Sequence, residues 1–451
     1  MRSHKDLGTP SEHLFVDGVH INAWYGLRYA IADERFAPSR AATGRIDASH
    51  QYEVPIFPQL PSKLSKAMGN GRANPQSEDA FFLNIWAPAD AQDLPVIFFI
   101  HGGAWMTGGG SMAWYNGSRL AAKGLVVVNV NYRLGGLGHL GSPKAHNLPI
   151  PAADILLALQ WVIDNIHFFA GNAKKITLMG QSAGGWYAHL LSILPQTQGM
   201  IHRVALLSMG TRTPWHPEHQ IKVTQRASQL VGGDLQGVSV DKLLKASMSA
   251  LIKEPLELGY APSAFLPVAS EGIPEKMLDP IWAAQACHAN RIYIRYTADE
   301  SAAFFFDTFQ QSKITQLEVD NSLSQWLPTD LPPLLKKNGV FCGALSGLTP
   351  YRQLIAASSW RQFQRFPTEY ANALKNKGKN VEISCFKTES KLEGFHSGHC
   401  FDLPFQFGNL GDWKDAPMLE GFSSEKFENI AQSLIADIAS FVKDEDSKVG
   451  S

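Results

Sequence analysis

Gly180-Gln181-Ser182-Ala183-Gly184 places a serine between two glycines, directly after the apolar run Ile176–Met179 and before a segment with helical potential, Trp186–Leu194. A serine hydroxyl attacks well only when a turn presents it and a base removes its proton. A G-x-S-x-G on a strand-to-helix turn supplies the first condition, because small flanking residues permit the sharp backbone that lifts Oγ clear. Alone, the pentapeptide also fits a plain structural turn. His101-Gly102-Gly103-Ala104 adds a second signal, following the apolar run Val96–Ile100. A glycine-rich turn in that place offers backbone N–H groups to the oxyanion of acyl transfer. Two segments hold candidates for the remaining chemistry: Asp299-Glu300-Ser301 brings carboxylates, and Gly394-Phe395-His396-Ser397-Gly398-His399 brings two candidate bases.

These groups need a scaffold. Short apolar runs recur at Phe81–Ile85, Val96–Ile100, Val126–Val130, Ile176–Met179, Val204–Leu207, Ile292–Tyr296 and Val381–Phe386. Several are nearly unbroken, as in strands buried on both faces. Between two of them Ile155, Leu159, Val162, Ile163 and Ile166 keep the rhythm of one buried helix face. Alternating strands and helices predict an α/β fold, a mostly parallel central sheet flanked by helices. The chain reads as one domain, 1–451, with lid or wall insertions at 213–280 and 304–375.

Composition narrows the function classes. The chain has 451 residues and a formal net charge of −1, which gives no reason to expect nucleic acid or an anionic membrane surface. No apolar run approaches the roughly 20 residues of a membrane span. The polar N-terminus lacks the apolar stretch of a signal peptide. Cys287, Cys342, Cys385 and Cys400 show no metal-ligand spacing, and a reducing, cytoplasmic setting is expected.

The blocks Gly26-Leu-Arg-Tyr-Ala, Ser77-Glu-Asp, His101-Gly-Gly-Ala, Asn131-Tyr-Arg-Leu-Gly, Gly180-Gln-Ser-Ala-Gly-Gly185 and Asp402-Leu-Pro-Phe, in this order, resemble the type-B carboxylesterases, the family of cholinesterases and bacterial p-nitrobenzyl esterases. The resemblance is dense up to Gly210 and thin beyond. It implies an α/β-hydrolase fold with helical insertions forming a lid or gorge wall. It also implies a serine carboxylesterase acting on small to medium uncharged esters, without metal or cofactor. Residue by residue it implies Ser182 as nucleophile, Glu300 as acid, and backbone N–H groups of Gly103, Ala104 and Ala183 as the oxyanion hole. His399 is implied as base, because it stands three residues before Asp402-Leu-Pro-Phe. Trp105, after the oxyanion loop, and His396 are candidate substrate contacts. Two buried ion pairs are implied, Arg35 with Glu78 and Arg133 with Asp154.

Departures from the family pattern sharpen the reading. Phe57 and Ala80 replace both halves of a disulfide found in many members, and Ser301 and Met209 stand where glycine and serine are usual. The Gln59–Asp79 loop has no aromatic residue, which argues against choline esters. An amidase, carbamate hydrolase or thioesterase with the same triad is the alternative enzyme. A non-catalytic cholinesterase-like binding protein is the second alternative, disfavoured because serine, glutamate and histidine all survive in order.

Overall fold

The computed structural model describes residues 9–43, 53–141, 148–252, 264–307, 313–325, 336–337, 340–341 and 347–443; Cys342 and the polar tail after 443 lie outside them. Nine strands form the main sheet: β1 (Glu12–Val16), β2 (Val19–Arg28), β3 (Phe82–Pro88), β4 (Leu94–Ile100), β5 (Val126–Val130), β6 (Gly171–Gln181), β7 (Arg203–Leu207), β8 (Arg291–Thr297) and β9 (Asn380–Phe386). Their spatial order is β1-β2-β3-β5-β4-β6-β7-β8-β9. The six from β5 to β9 run parallel, and β1, β2 and β3 join antiparallel.

The unbroken apolar strands are buried on both faces. In β4, Val96, Phe98 and Ile100 enter one core, while Ile97 and Phe99 enter the other. The first core is covered by α1 (Ile150–Asn165), whose Ile155, Leu159 and Val162 are fully buried, and by α2 (Ala183–Ile193). With its following 3-10 turn, α1 is long and apolar enough to cross a membrane by length and composition, which no run of the sequence suggested; half of it is buried inside the fold.

The two insertion ranges are largely helical where described. The first holds α3 (Pro217–Val231) and α4 (Val240–Leu251), which pack in a core of their own. After α5 (Pro280–Ala286), the second range ends in α6 (Pro350–Ser359), a π-helical turn at Trp360–Gln364, and α7 (Arg365–Asn376). Phe366, Tyr370 and Leu374 of α7 pack into the main core, so this part of 304–375 is the crossover that returns the chain to β9. A run rich in prolines and glycines hid that helix. On the opposite face, α8 (Leu403–Phe407) and α9 (Ser424–Lys443) complete the second core.

Three ion pairs brace the loops. Arg133 and Asp154 meet at 2.6 Å, fully buried, and Ser39 also donates to Asp154. Arg35 holds both Glu78 oxygens at 2.7 Å and donates to the carbonyls of Leu235 and Val238, tying the N-terminal region to the α3–α4 connection. The third, Arg295 with Asp402 at 3.0 Å, is buried on both sides and was not foreseen. Phe57 and Ala80 are buried in the main core, with Phe57 edge-on to Phe81.

Candidate active site

Register puts every candidate group at one sheet edge. Ile100 of β4 pairs with Gly180 of β6, Gln181 with Leu207 of β7, and Thr297 of β8 with Phe386 of β9. The loops leaving these carboxyl ends carry Gly103, Ser182, Glu300 and His399, where open α/β sheets place their ligands. Ser182 sits at the turn into α2 with φ 57° and ψ −118°, a conformation rarely adopted by a residue with a side chain. Its N–H donates to Leu207 at 2.9 Å and its carbonyl accepts from Trp186 at 3.0 Å, which over-determine the strained geometry. The flanking glycines are required by close approach. A Cβ on Gly180 would lie 2.2 Å from the Gly184 carbonyl oxygen, and one on Gly184 would lie 2.0 Å from that of Ile100.

Ser182 Oγ stands 2.8 Å from His399 Nε2, and His399 Nδ1 stands 2.5 Å from Glu300 Oε2. The other Glu300 oxygen accepts the Thr297 N–H at 2.8 Å, so the carboxylate is held from two sides. The His399 and Glu300 loops are stitched together: His399 N–H donates to the Glu300 carbonyl and Asp299 N–H to that of Ser397, each at 3.0 Å. Arg295, inside β8, anchors the His399 loop through Asp402. Phe363 and Phe304 pack against the imidazole with ring centroids at 4.8 and 5.4 Å. Phe363 is delivered by the π-helical turn, whose Gln362 carbonyl is taken by the N–H and hydroxyl of Thr211.

Burial, the largest single influence, disfavours a charged His399. The electrostatic pull of the Cys400 sulfur and the Glu300 carboxylate, with their hydrogen bonds, outweighs it, and the imidazole pKa stands well above its ordinary 6.5. In the neutral tautomer Nδ1–H donates to Glu300 and Nε2 accepts from the serine. That arrangement can take a proton from Ser182.

The Gly103–Thr107 turn faces the serine. Its Gly103 carbonyl accepts from the N–H groups of Met106 and Thr107, each at 3.0 Å. In a trans peptide the N–H points opposite to the C=O, so the Ala104 N–H is turned away from that ring of donors. None of the Gly103, Ala104 and Ala183 N–H groups enters a described turn or loop hydrogen bond. Gly103 at φ 113° is followed by Ala104 and Trp105 at φ 54° and 59°, a run of left-handed backbone.

Two cavities meet at Ser182, Gly103, Ala104 and Phe304. One, of about 380 Å³, is walled by the Gln59–Gln76 loop and by His399 and Cys400. The other, of about 300 Å³, is mainly apolar and is lined by Trp105, Leu244, Met248, Phe265 and Phe363. Trp105 thus sits where the sequence expectation put it. His396 does not: it lines neither cavity, and its ring lies near Tyr351, its backbone carbonyl held by Ser390. His396 itself has left-handed backbone at φ 50°, and the nearby Asp402 is bound by Arg295. Sequence reasoning also missed Trp114 and Tyr115, which bring aromatic rings to the first cavity from outside the Gln59–Asp79 loop. Among the described residues no group of His, Cys, Asp or Glu is arranged to hold a metal ion.

A sequence profile described as "Carboxylesterase family" matches residues 8–448. The para-nitrobenzyl esterase of Bacillus subtilis is 31% identical over 418 residues, covering 87% of this chain and 80% of that protein. The phenmedipham hydrolase of Pseudarthrobacter oxydans is 28% identical over 444 residues, covering 95% and 87%. Among solved structures, a thermophilic PNB esterase superposes with a TM-score of 0.77 at 26% identity, over 96% of this chain and 88% of the other.

Proposed function

The chain belongs to the carboxylesterase family and is a serine carboxylic-ester hydrolase, and from that premise we propose which residues carry the reaction. Ser182 attacks the ester carbonyl while His399 Nε2 accepts its proton, and Glu300 holds Nδ1–H and stabilises the imidazolium. The oxyanion is bound by the N–H groups of Gly103, Ala104 and Ala183, each such donor worth about 3 kcal/mol in related chemistry. His399 then returns the proton to the leaving oxygen, and water repeats the cycle on the acyl-enzyme. The observation that carries the reading is the unbroken line Ser182 Oγ, His399, Glu300 at 2.8 and 2.5 Å beside two open cavities.

The two cavities divide the substrate. Since His399 must reach the leaving oxygen, the alcohol departs into the cavity that His399 lines, and the acyl group occupies the apolar cavity with Trp105 and Phe265. A panel of p-nitrophenyl esters of increasing acyl length, with one anilide, tests this. Hydrolysis of the esters with a preference that follows the apolar cavity supports it; turnover of the anilide alone removes it. The reading includes a reducing, cytoplasmic setting, supported by the free thiols of Cys287, Cys385 and Cys400 and checked by cell fractionation.

A further inference from the structure

His101 opens the oxyanion turn but touches no substrate cavity. It is fully buried behind the turn. Its ring stacks on Tyr132 with centroids 4.4 Å apart and planes 17° apart, and Tyr115 flanks it at 6.4 Å and 26°. The ring is thereby fixed in one plane. In that plane His101 Nδ1 lies 2.7 Å from the Gly102 carbonyl oxygen, so Nδ1 carries the proton and donates it. The Tyr132 hydroxyl donates to the carbonyl of His101 itself at 2.7 Å, fixing the preceding peptide as well. Gly108 makes room: a Cβ there would come within 2.6 Å of His101 Nδ1 and 2.8 Å of the Gly102 oxygen.

The peptide that follows Gly102 carries the Gly103 N–H. No peptide bond in the described chain is cis. The carbonyl drawn to the imidazole on one side therefore sends the Gly103 N–H out on the other. Gly103 lines both cavities at Ser182. We propose that His101 is a positioning residue: by donating Nδ1–H to the Gly102 carbonyl it aims the Gly103 N–H at the developing oxyanion.

The device is held in one state across the working range. Burial lowers the His101 pKa to about 4, so the ring stays neutral and keeps a single Nδ1–H donor above that pH. Its Nε2 has no hydrogen-bond partner among the described residues, as suits an unprotonated nitrogen in an apolar setting. Stacking supplies the plane, the imidazole supplies the donor, and Gly102 and Gly103 leave the peptide free to rotate into the one orientation they select.

This inference rests on Ser182 being the nucleophile, and the test separates the two. His101→Phe keeps the ring and its stacking but removes the donor. His101→Asn places a side-chain N–H at the same bond count from Cβ as Nδ1. For a p-nitrophenyl ester, His101→Phe should lower kcat by about 10–100-fold, somewhat less than loss of a whole oxyanion donor, with KM changed less than about twofold. Affinity for a trifluoromethyl ketone, which forms the oxyanion adduct, should fall in the same proportion as kcat, while a non-hydrolysable ketone of the same shape binds unchanged. His101→Asn should recover most of both losses. In the acyl-enzyme the carbonyl stretch should move to higher wavenumber in His101→Phe and return in His101→Asn. Equal loss for the adduct-forming and inert ketones, or no rescue by asparagine, assigns His101 a packing role and overturns the proposal. Should His101→Phe fail to fold, the Asn and Gln variants are compared on the same stretch, and an unshifted carbonyl in a slow variant overturns it. Loss of covalent labelling at Ser182 in the unsubstituted enzyme would instead overturn the nucleophile assignment.

Discussion

At the scale of single residues, the two histidines of one short loop have opposite fates. His399 lies between Ser182 and Glu300, while His396 lines neither cavity. His399→Ala should therefore nearly abolish turnover, whereas His396→Ala should retain much of it, as steady-state kinetics on a p-nitrophenyl ester would show. The protonation of His399 sets the pH profile. Its pKa is raised, so the imidazolium persists above pH 6.5 and cannot accept the serine proton. Activity should rise with pH along a limb displaced to the alkaline side of 6.5. Glu300→Gln removes one source of the shift and should move that limb towards acid while lowering kcat; a limb that stays in place would show that Glu300 does not govern the imidazole. Serine and its glycines were legible in the sequence because their backbone demands glycine at fixed offsets. The choice between His396 and His399 rested there on family spacing and on Gly398 beside His399, since a loop's path depends on left-handed residues such as His396 and Cys400 that no local pattern announces.

At the scale of elements, the strands buried on both faces were readable as apolar runs, and the observed strands contain or closely overlap all seven. β1 and β2 were missed for a physical reason. They form an antiparallel edge whose exposure alternates over much of its length, and their longest apolar runs, Leu14–Val16 and Ala23–Tyr25, are shorter than those of the buried strands. The Arg295–Asp402 pair was missed because its partners lie 107 positions apart, one of them inside a strand. Both buried pairs predict asymmetric costs. Asp154→Ala strands Arg133 without its counter-charge and should cost about 3–5 kcal/mol in denaturant unfolding, with kcat of the folded fraction retained because Asp154 touches no cavity residue of the triad. Asp402→Ala strands Arg295 and also frees the His399 loop. It should lower both stability and kcat; unchanged kcat would show that the loop is held by its backbone bonds alone.

At the scale of the whole molecule, the sheet edge, the inserted helices and the Gln59–Gln76 loop close around one serine. Residues of both insertion ranges, Leu244 and Phe363 among them, wall the apolar cavity. Narrowing that cavity with Leu244→Trp should lower kcat/KM for hexanoyl relative to acetyl esters by about tenfold or more; an unchanged ratio would move the acyl group to the other side. Among the described residues no carboxylate lines either cavity, and choline esters should gain nothing in kcat/KM over their neutral isosteres. A clear preference for the quaternary substrate would give the Trp114 ring, which the loop sequence did not reveal, the role of a cation face.

The central claim is that Ser182 is the nucleophile, activated by His399. Intact protein is treated with a fluorophosphonate, and the adduct is counted by mass spectrometry and mapped by peptide digestion. The account predicts one adduct, on the peptide carrying Gly180-Gln181-Ser182-Ala183-Gly184, formed much more slowly in the folded His399→Ala variant and not at all in Ser182→Ala. An adduct on another serine, or equal labelling with and without His399, would contradict it.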